Sequence, residues 1–282
     1  MAYNTIVSTE ILSQHLHDPD WLILDARFTL DDEQWGRVEY EKSHIPGAVY
    51  ADLASDLASP IIPGVTGRRP LPTPEDFAAT LSRWGVNEKT QVVTYDTKGG
   101  LMAASRAWWM LRWLDHDSVA VLDGGWPQWL AEERATTDEV PTRTPRRFVA
   151  KLRPELFASL DDVEAARTDP DFAVFDSRSE EGYHGQGVYQ DPVRGHIPGA
   201  RLAKRADTLG PDGRLRPPSE LRAHYESLLG EVPPARTIFY CGSGVTAAQN
   251  LLALAHAGLG DARHYIGSWS EWILDPARPV AL

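Results

Sequence analysis

Short runs of β-branched and aromatic residues recur along this chain at strand length. Trp21-Leu-Ile-Leu-Asp25, Val92-Val-Thr-Tyr95, Phe172-Ala-Val-Phe-Asp176 and Thr237-Ile-Phe-Tyr240 each read as a buried strand. Between them lie stretches of helix composition, among them Ala104 to Trp113 and Ala247 to His256, the latter closed by Gly258. Alternation of such runs is the pattern of βα units around a largely parallel sheet, so the expected class is α/β.

The pattern occurs twice. Trp21-Leu-Ile-Leu-Asp25-Ala-Arg27 answers Phe172-Ala-Val-Phe-Asp176-Ser-Arg178, and His44-Ile-Pro-Gly-Ala48 answers His196-Ile-Pro-Gly-Ala200. Further on, Val92-Val-Thr-Tyr95-Asp96 answers Thr237-Ile-Phe-Tyr240-Cys241, and Gly124-Gly-Trp126-Pro-Gln-Trp129 answers Gly267-Ser-Trp269-Ser-Glu-Trp272. The offsets are 151, 152, 145 and 143 residues, a drift small enough to mean a duplicated domain with its insertions in loops. The expected division is a first copy over 1–135, a linker over 136–150, and a second copy over 151–282. The stretch Thr136 to Pro145 is rich in Thr and Pro and lacks apolar periodicity.

Composition narrows the function. The 28 basic and 40 acidic residues leave a net charge of −12 with no long basic cluster, so nucleic acid is not an expected partner. An anionic substrate would have to be held by local positive groups against that field. A single cysteine excludes an internal disulfide and a cysteine-based zinc site, and nothing in the sequence asks for a metal or an organic cofactor. The N-terminus has no basic segment followed by an apolar one, and no apolar stretch approaches membrane-spanning length. A soluble cytoplasmic protein without membrane partners is therefore expected.

That one cysteine carries the chemistry. Cys241 follows the strand Thr237–Tyr240 directly and heads Cys241-Gly242-Ser243-Gly244-Val245-Thr246, which feeds the helix from Ala247. The two glycines let the loop bend tightly enough to turn several N–H groups toward the sulfur, and the helix dipole adds partial positive charge. Both favour a thiolate, the nucleophilic form. A lone cysteine is more often a small buried hydrophobe, but core packing asks for neither the two glycines nor the two hydroxyls that follow this one. The first copy carries Asp96 in place of Cys241 and so has no nucleophile. Its expected work is substrate contact.

The paired Asp-x-Arg and His-Ile-Pro-Gly-Ala blocks, a cysteine loop in the second copy only, and the closing Gly-Ser-Trp-x-Glu-Trp resemble the two-domain rhodanese-family sulfurtransferases over nearly the whole chain. That resemblance implies tandem rhodanese-like domains, each a largely parallel sheet flanked by helices. It also implies transfer of a sulfane sulfur through a persulfide on Cys241, from a small-molecule donor to cyanide or a thiol, a thioredoxin-like protein among the acceptors. The loop Cys-Gly-Ser-Gly-Val-Thr is similar to the 3-mercaptopyruvate type, whereas the thiosulfate type, the alternative, more often has basic residues after the cysteine. In this reading Gly242, Ser243, Gly244, Val245 and Thr246 stabilise the substrate and the persulfide, Ser243 by donating a hydrogen bond and Thr246 by capping the helix. A non-catalytic sulfur-sensing or binding module is the remaining alternative. A cysteine phosphatase would need an arginine six residues after the cysteine, where Ala247 stands.

The chain departs from the family in its arginines. Mercaptopyruvate enzymes usually present two between the second Asp-x-Arg and the second His-Ile-Pro-Gly; here Gly182 aligns with the first, and only Arg194 remains. Arg69 aligns where the family often has a histidine linked to the loop serine. Arg69 and Arg194 are therefore the candidate anion-binding residues. Asp25, Asp176, Arg27, Arg178, His44 and His196 occur in both copies, with and without a cysteine, and are read as scaffold. The tryptophans are read as core mass, with Trp269 a candidate to line the site.

Overall fold

The structure, a computed structural model, describes residues 2–29, 31–186 and 190–282. The chain forms two compact units: Met1–Ser59 with Leu71–Arg153, and Pro60–Pro70 with Pro154–Leu282. In the first, strands β1 (Ile6–Val7), β2 (Trp21–Asp25), β3 (Ala48–Tyr50), β4 (Gln91–Tyr95) and β5 (Val119–Leu122) make a wholly parallel sheet in the order β1-β5-β4-β2-β3. In the second, β6 (Ala173–Asp176), β7 (Arg201–Leu202), β8 (Thr237–Tyr240) and β9 (Arg263–His264) make a parallel sheet in the order β7-β6-β8-β9. The second order repeats β3-β2-β4-β5 of the first. The place of β1 is taken by a single parallel bridge from Phe157 to His264.

Parallel neighbours cannot be joined by a tight turn, so helices carry the crossovers. Pro74–Arg83 and Ala103–Trp113 follow β3 and β4, and Pro218–Leu229 and Ala247–His256 follow β7 and β8. Because helices cover the sheets, β4 and β8 are buried at every residue, which is why they read as unbroken apolar runs. The two cores are built from corresponding residues: Ile45, Val93, Trp126 and Trp129 in one, Ile197, Ile238, Trp269 and Trp272 in the other. Trp269 is wholly buried, its indole N–H donating to the Val193 carbonyl at 3.1 Å, so it is core and does not line the site. Among the described residues no helix is long and apolar enough to cross a membrane.

The repeated polar residues form the same network in each unit. Asp25 ends β2, and its carboxylate takes Arg27 Nε at 2.9 Å and the Tyr95 hydroxyl at 2.6 Å; Tyr95 also accepts the Ile45 N–H at 3.3 Å. Arg27 reaches on to the Ser43 carbonyl at 2.7 Å. In the second unit Arg178 bonds Asp176 at 2.6 Å and the Gly195 carbonyl at 2.7 Å, and Tyr240 accepts the Ile197 N–H at 3.1 Å. His44 Nδ1 lies 2.6 Å from the Tyr40 carbonyl and His196 Nδ1 2.9 Å from that of Tyr183. These contacts tie the turn before β3 or β7 to the end of the central strand, the scaffold role expected of them.

Two segments differ from the expected division. Thr137 pairs with His44 in an antiparallel bridge, Arg143 donates to the Trp21 carbonyl at 3.0 Å, and Arg146 pairs with Asp20 at 2.8 Å. The stretch 136–150 is thus fastened to the first unit by its own polar groups. Residues 60–70, expected in the first copy, belong to the second unit because Gly67 and Arg68 dock on the helix Ser268–Trp272.

Removing one partner of a wholly buried ion pair strands the other charge. Asp25→Ala is therefore expected to lower unfolding free energy by about 3–5 kcal/mol, whereas Glu39→Ala, which breaks the exposed pair with Lys42, should cost less than about 1 kcal/mol. Urea denaturation of the two variants checks the contrast, and equal losses would contradict it.

Candidate active site

Cys241 sits at the carboxyl end of β8, where a parallel sheet opens onto its helix-bearing loops, and it is 1% exposed. Its backbone is held from the far side by the helix Ser268–Trp272. The Cys241 N–H donates to Ser268 Oγ at 3.1 Å, the Trp269 N–H donates to the Cys241 carbonyl at 2.9 Å, and the Ser270 N–H donates to the Gly242 carbonyl at 2.9 Å. Gly244 has φ +72, and a Cβ there would lie 2.1 Å from the Ile266 carbonyl oxygen. Only glycine fits, so the bend that brings the loop back over its own strand end depends on that residue.

The loop of the first unit shows what this frame does to a charge. The carboxylate of Asp96, at the position of Cys241, accepts four backbone N–H groups: Lys98 at 2.7 Å, Gly100 at 3.0 Å, Met102 at 2.9 Å and Ala104 at 3.2 Å. Burial pushes the Asp96 carboxyl up, and the four N–H groups oppose that rise. Gly99, with φ 73, matches Gly244 in the turn. The counterparts of Lys98 and Gly100 are Ser243 and Val245, followed by the first turn of Ala247–His256. Both loops thus run from strand end through a left-handed glycine into a helix.

Two hydroxyls of this frame were not anticipated from the sequence. Ser268 is buried with φ 54, a conformation that disfavours a side chain; its hydroxyl donates to the Tyr265 carbonyl at 2.8 Å while accepting from Cys241. The signal was in the repeat: the first copy has Gly125, φ 55, at the matching place. Ser270 links two segments, its N–H on Gly242 and its Oγ accepting the Arg68 N–H at 3.0 Å.

Among the described residues, Arg68 places a cation against the loop. Its Nη2 lies 3.1 Å from where a Cβ on Gly242 would stand, and its Nη1 pairs with Asp191. The sequence pointed instead to Arg69, which is half-buried beside it, and to Arg194, which is exposed on the turn ahead of His196. Of the stretch 179–194, residues 187–189 lie outside the described residues. Arg178 is also electrostatically in reach of the cysteine: burial works against its charge, but Asp176, and after it Tyr240 and Cys241, hold its pKa above the ordinary value. Ser243 and Thr246 are partly exposed and Val245 is buried. Thr246 stands at the N-cap of Ala247–His256 but has helical dihedrals and makes no side-chain cap bond, so the expected capping role falls away. Among the described residues no group of three or more His, Cys, Asp or Glu side chains is placed to hold a metal ion.

Ser268→Ala removes the acceptor for a buried N–H and leaves a side chain in the left-handed region. It is expected to destabilise the protein by about 1–3 kcal/mol and to lower turnover. Ser268→Gly, which relieves the backbone but not the lost bond, should recover part of the stability in thermal melts. An alanine variant as stable and active as the parent would remove Ser268 from the site.

Comparison with known proteins places this geometry in context. A family model described as the rhodanese-like domain matches the chain twice, over residues 8–132 and 159–275. A Pseudomonas aeruginosa protein described as a probable 3-mercaptopyruvate sulfurtransferase is 44% identical over 282 residues, covering 100% of this chain and 99% of its own. The 3-mercaptopyruvate sulfurtransferase of Escherichia coli K12 is 34% identical over 278 residues, 96% of each chain. The crystal structure of an Escherichia coli 3-mercaptopyruvate sulfotransferase with the rhodanese fold superimposes with a TM-score of 0.80 at 32% identity, covering 95% of this chain and all of that one.

Proposed function

This chain belongs to the rhodanese family and is a sulfurtransferase, and from that premise we propose that it moves sulfur from 3-mercaptopyruvate through a persulfide on Cys241 to a thiol or to cyanide. The observation that carries the reading is the pairing of the two loops. Where the first unit holds the Asp96 carboxyl in a ring of four N–H groups, the second has the chain's one cysteine. A thiolate, and then the terminal sulfur of a persulfide, is the anion that such a ring suits.

The steps follow from the chemistry of sulfur. The Cys241 thiolate attacks the sulfur of the donor. The carbon–sulfur bond breaks with its electron pair going to the ketoacid, which leaves as the enolate of pyruvate. The proton that the donor's thiol gives up completes the methyl group of pyruvate. The Ser243 hydroxyl, partly exposed next to the cysteine, donates to the donor's carbonyl oxygen as negative charge builds there. An acceptor thiolate then attacks the outer sulfur of the persulfide, leaves as a persulfide itself, and restores the Cys241 thiolate; cyanide leaves as thiocyanate. A thioredoxin-like dithiol is a suitable acceptor, and the cytoplasm, which keeps a lone reactive cysteine reduced, is the compartment this chemistry suits.

Residues 242–246 bring no cation of their own, so a ketoacid, with one negative charge and a carbonyl to hydrogen-bond, suits the loop better than thiosulfate, a dianion. Incubation with 3-mercaptopyruvate and no acceptor should add one sulfur atom to the peptide containing Cys241, read by mass spectrometry, and Cys241→Ser should take up none and turn over neither donor. Steady-state kinetics against cyanide should give the higher kcat/KM for 3-mercaptopyruvate. A tenfold preference for thiosulfate, about 1.4 kcal/mol of transition-state stabilisation, would reverse the choice of donor; sulfur transfer by the serine variant would remove Cys241 from the reaction.

A further inference from the structure

Resting on that reading, we propose that Arg68 is the group that binds the donor's carboxylate, and that Asp191 is a resident counter-anion which the donor displaces from it. Arg68 comes from a segment distant in sequence yet is tied to the cysteine loop through one residue. Ser270 accepts the Arg68 N–H at 3.0 Å and donates its own N–H to the Gly242 carbonyl at 2.9 Å. Gly67 admits no side chain, since a Cβ there would lie 2.6 Å from the Gly267 carbonyl and 2.7 Å from Ser270 Oγ. The backbone of Arg68 is therefore fixed relative to Cys241, and the missing side chain at Gly242 lets the guanidinium lie against the loop.

Charge decides what that guanidinium is for. Residues 241–246 bring no charged side chain, and the whole chain carries −12, so an anionic donor is repelled everywhere except at a local cation. Arg68 keeps 31% of its side chain exposed, whereas its partner Asp191 keeps 11%. Arg68 thus keeps part of its side chain open to solvent while its carboxylate partner is largely covered. A guanidinium offers five N–H donors in a planar fork that fits a carboxylate bidentately. Exchange of the Asp191 carboxylate for that of the donor replaces one such pair by another, so the guanidinium is never left without a counter-anion. A donor without an anionic group gains nothing from it. Run in reverse, the same exchange releases pyruvate, because Asp191 competes for the cation as the product leaves.

The two residues have opposite predicted effects on KM, which a merely structural pair would not produce. Arg68→Ala should raise KM for 3-mercaptopyruvate by about ten- to a hundredfold with a much smaller change in kcat, and Arg68→Lys, which keeps the charge without the fork, should fall between. Asp191→Asn, which leaves Arg68 without its competitor, should lower KM by about threefold or more. The methyl ester of 3-mercaptopyruvate should be used equally well by the parent and by Arg68→Ala, which also shows that the variant is folded. An unchanged KM in Arg68→Ala, an unchanged or raised KM in Asp191→Asn, or an equal loss toward ester and acid would each overturn the assignment. If those results come from a parent enzyme that does load sulfur on Cys241, this inference alone falls. A parent that loads none from either donor overturns the persulfide reading, and this assignment with it.

Discussion

Each half of this protein hangs on a buried carboxylate–guanidinium pair at the end of its central strand. Asp25 and Asp176 are fully buried; each faces an arginine two residues on and the tyrosine that ends the next strand, with which it shares a register position. Tyr95 and Tyr240 are pushed well above the ordinary phenol range, by burial first and then by the neighbouring carboxylate, so each stays a neutral hydroxyl that can serve the carboxylate and a backbone N–H together. The residue after that tyrosine is Asp96 in one unit and Cys241 in the other. Such a pair contributes little net stability, because desolvation offsets the attraction. Its effect is positional: it fixes the strand end, the turn before the edge strand, and through the tyrosine the first residue of the loop.

From that fixed point the two copies diverge by chemistry and not by frame. The first loop has already committed four N–H groups to the Asp96 carboxyl. In the second the corresponding place is held by the sulfur of Cys241. Preorganised donors of this kind stabilise developing charge without rearranging. The strained φ of Ser268 fits the same view, since a glycine suffices at that place in the first copy and the serine adds the hydroxyl that receives the Cys241 N–H.

Much of this was readable from the sequence, and the physical reason is burial. Strands such as Val92–Tyr95 and Thr237–Tyr240 are covered on both faces, so they appear as apolar runs. The polar residues that interrupt the pattern twice, Asp25 with Arg27 and Asp176 with Arg178, had to be a shared scaffold because one of the copies has no cysteine. Cys241 stood out because its neighbours, Gly242 and Gly244, serve a bend and not a core. What periodicity does not report is where an irregular segment lies down. Residues 60–70 have no apolar rhythm, and their docking depends on Gly67 closing against Gly267 and on one bond from Arg68 to Ser270. Alignment singled out Arg69 and Arg194, and it did not report that Arg68 lies against Gly242. Thr246 has the composition of a cap, but the loop enters the helix with helical dihedrals and its hydroxyl is not turned to the N–H groups.

If the loop after β8 is an anion cradle for sulfur, a crystal structure of the protein treated with 3-mercaptopyruvate and given no acceptor should show a second sulfur on Cys241 Sγ. The N–H groups of Ser243, Val245 and the first turn of Ala247–His256 should be directed at it as those of Lys98, Gly100, Met102 and Ala104 are directed at Asp96. An unmodified Cys241, or a persulfide turned away from those N–H groups, would mean that the loop does not act as such a cradle.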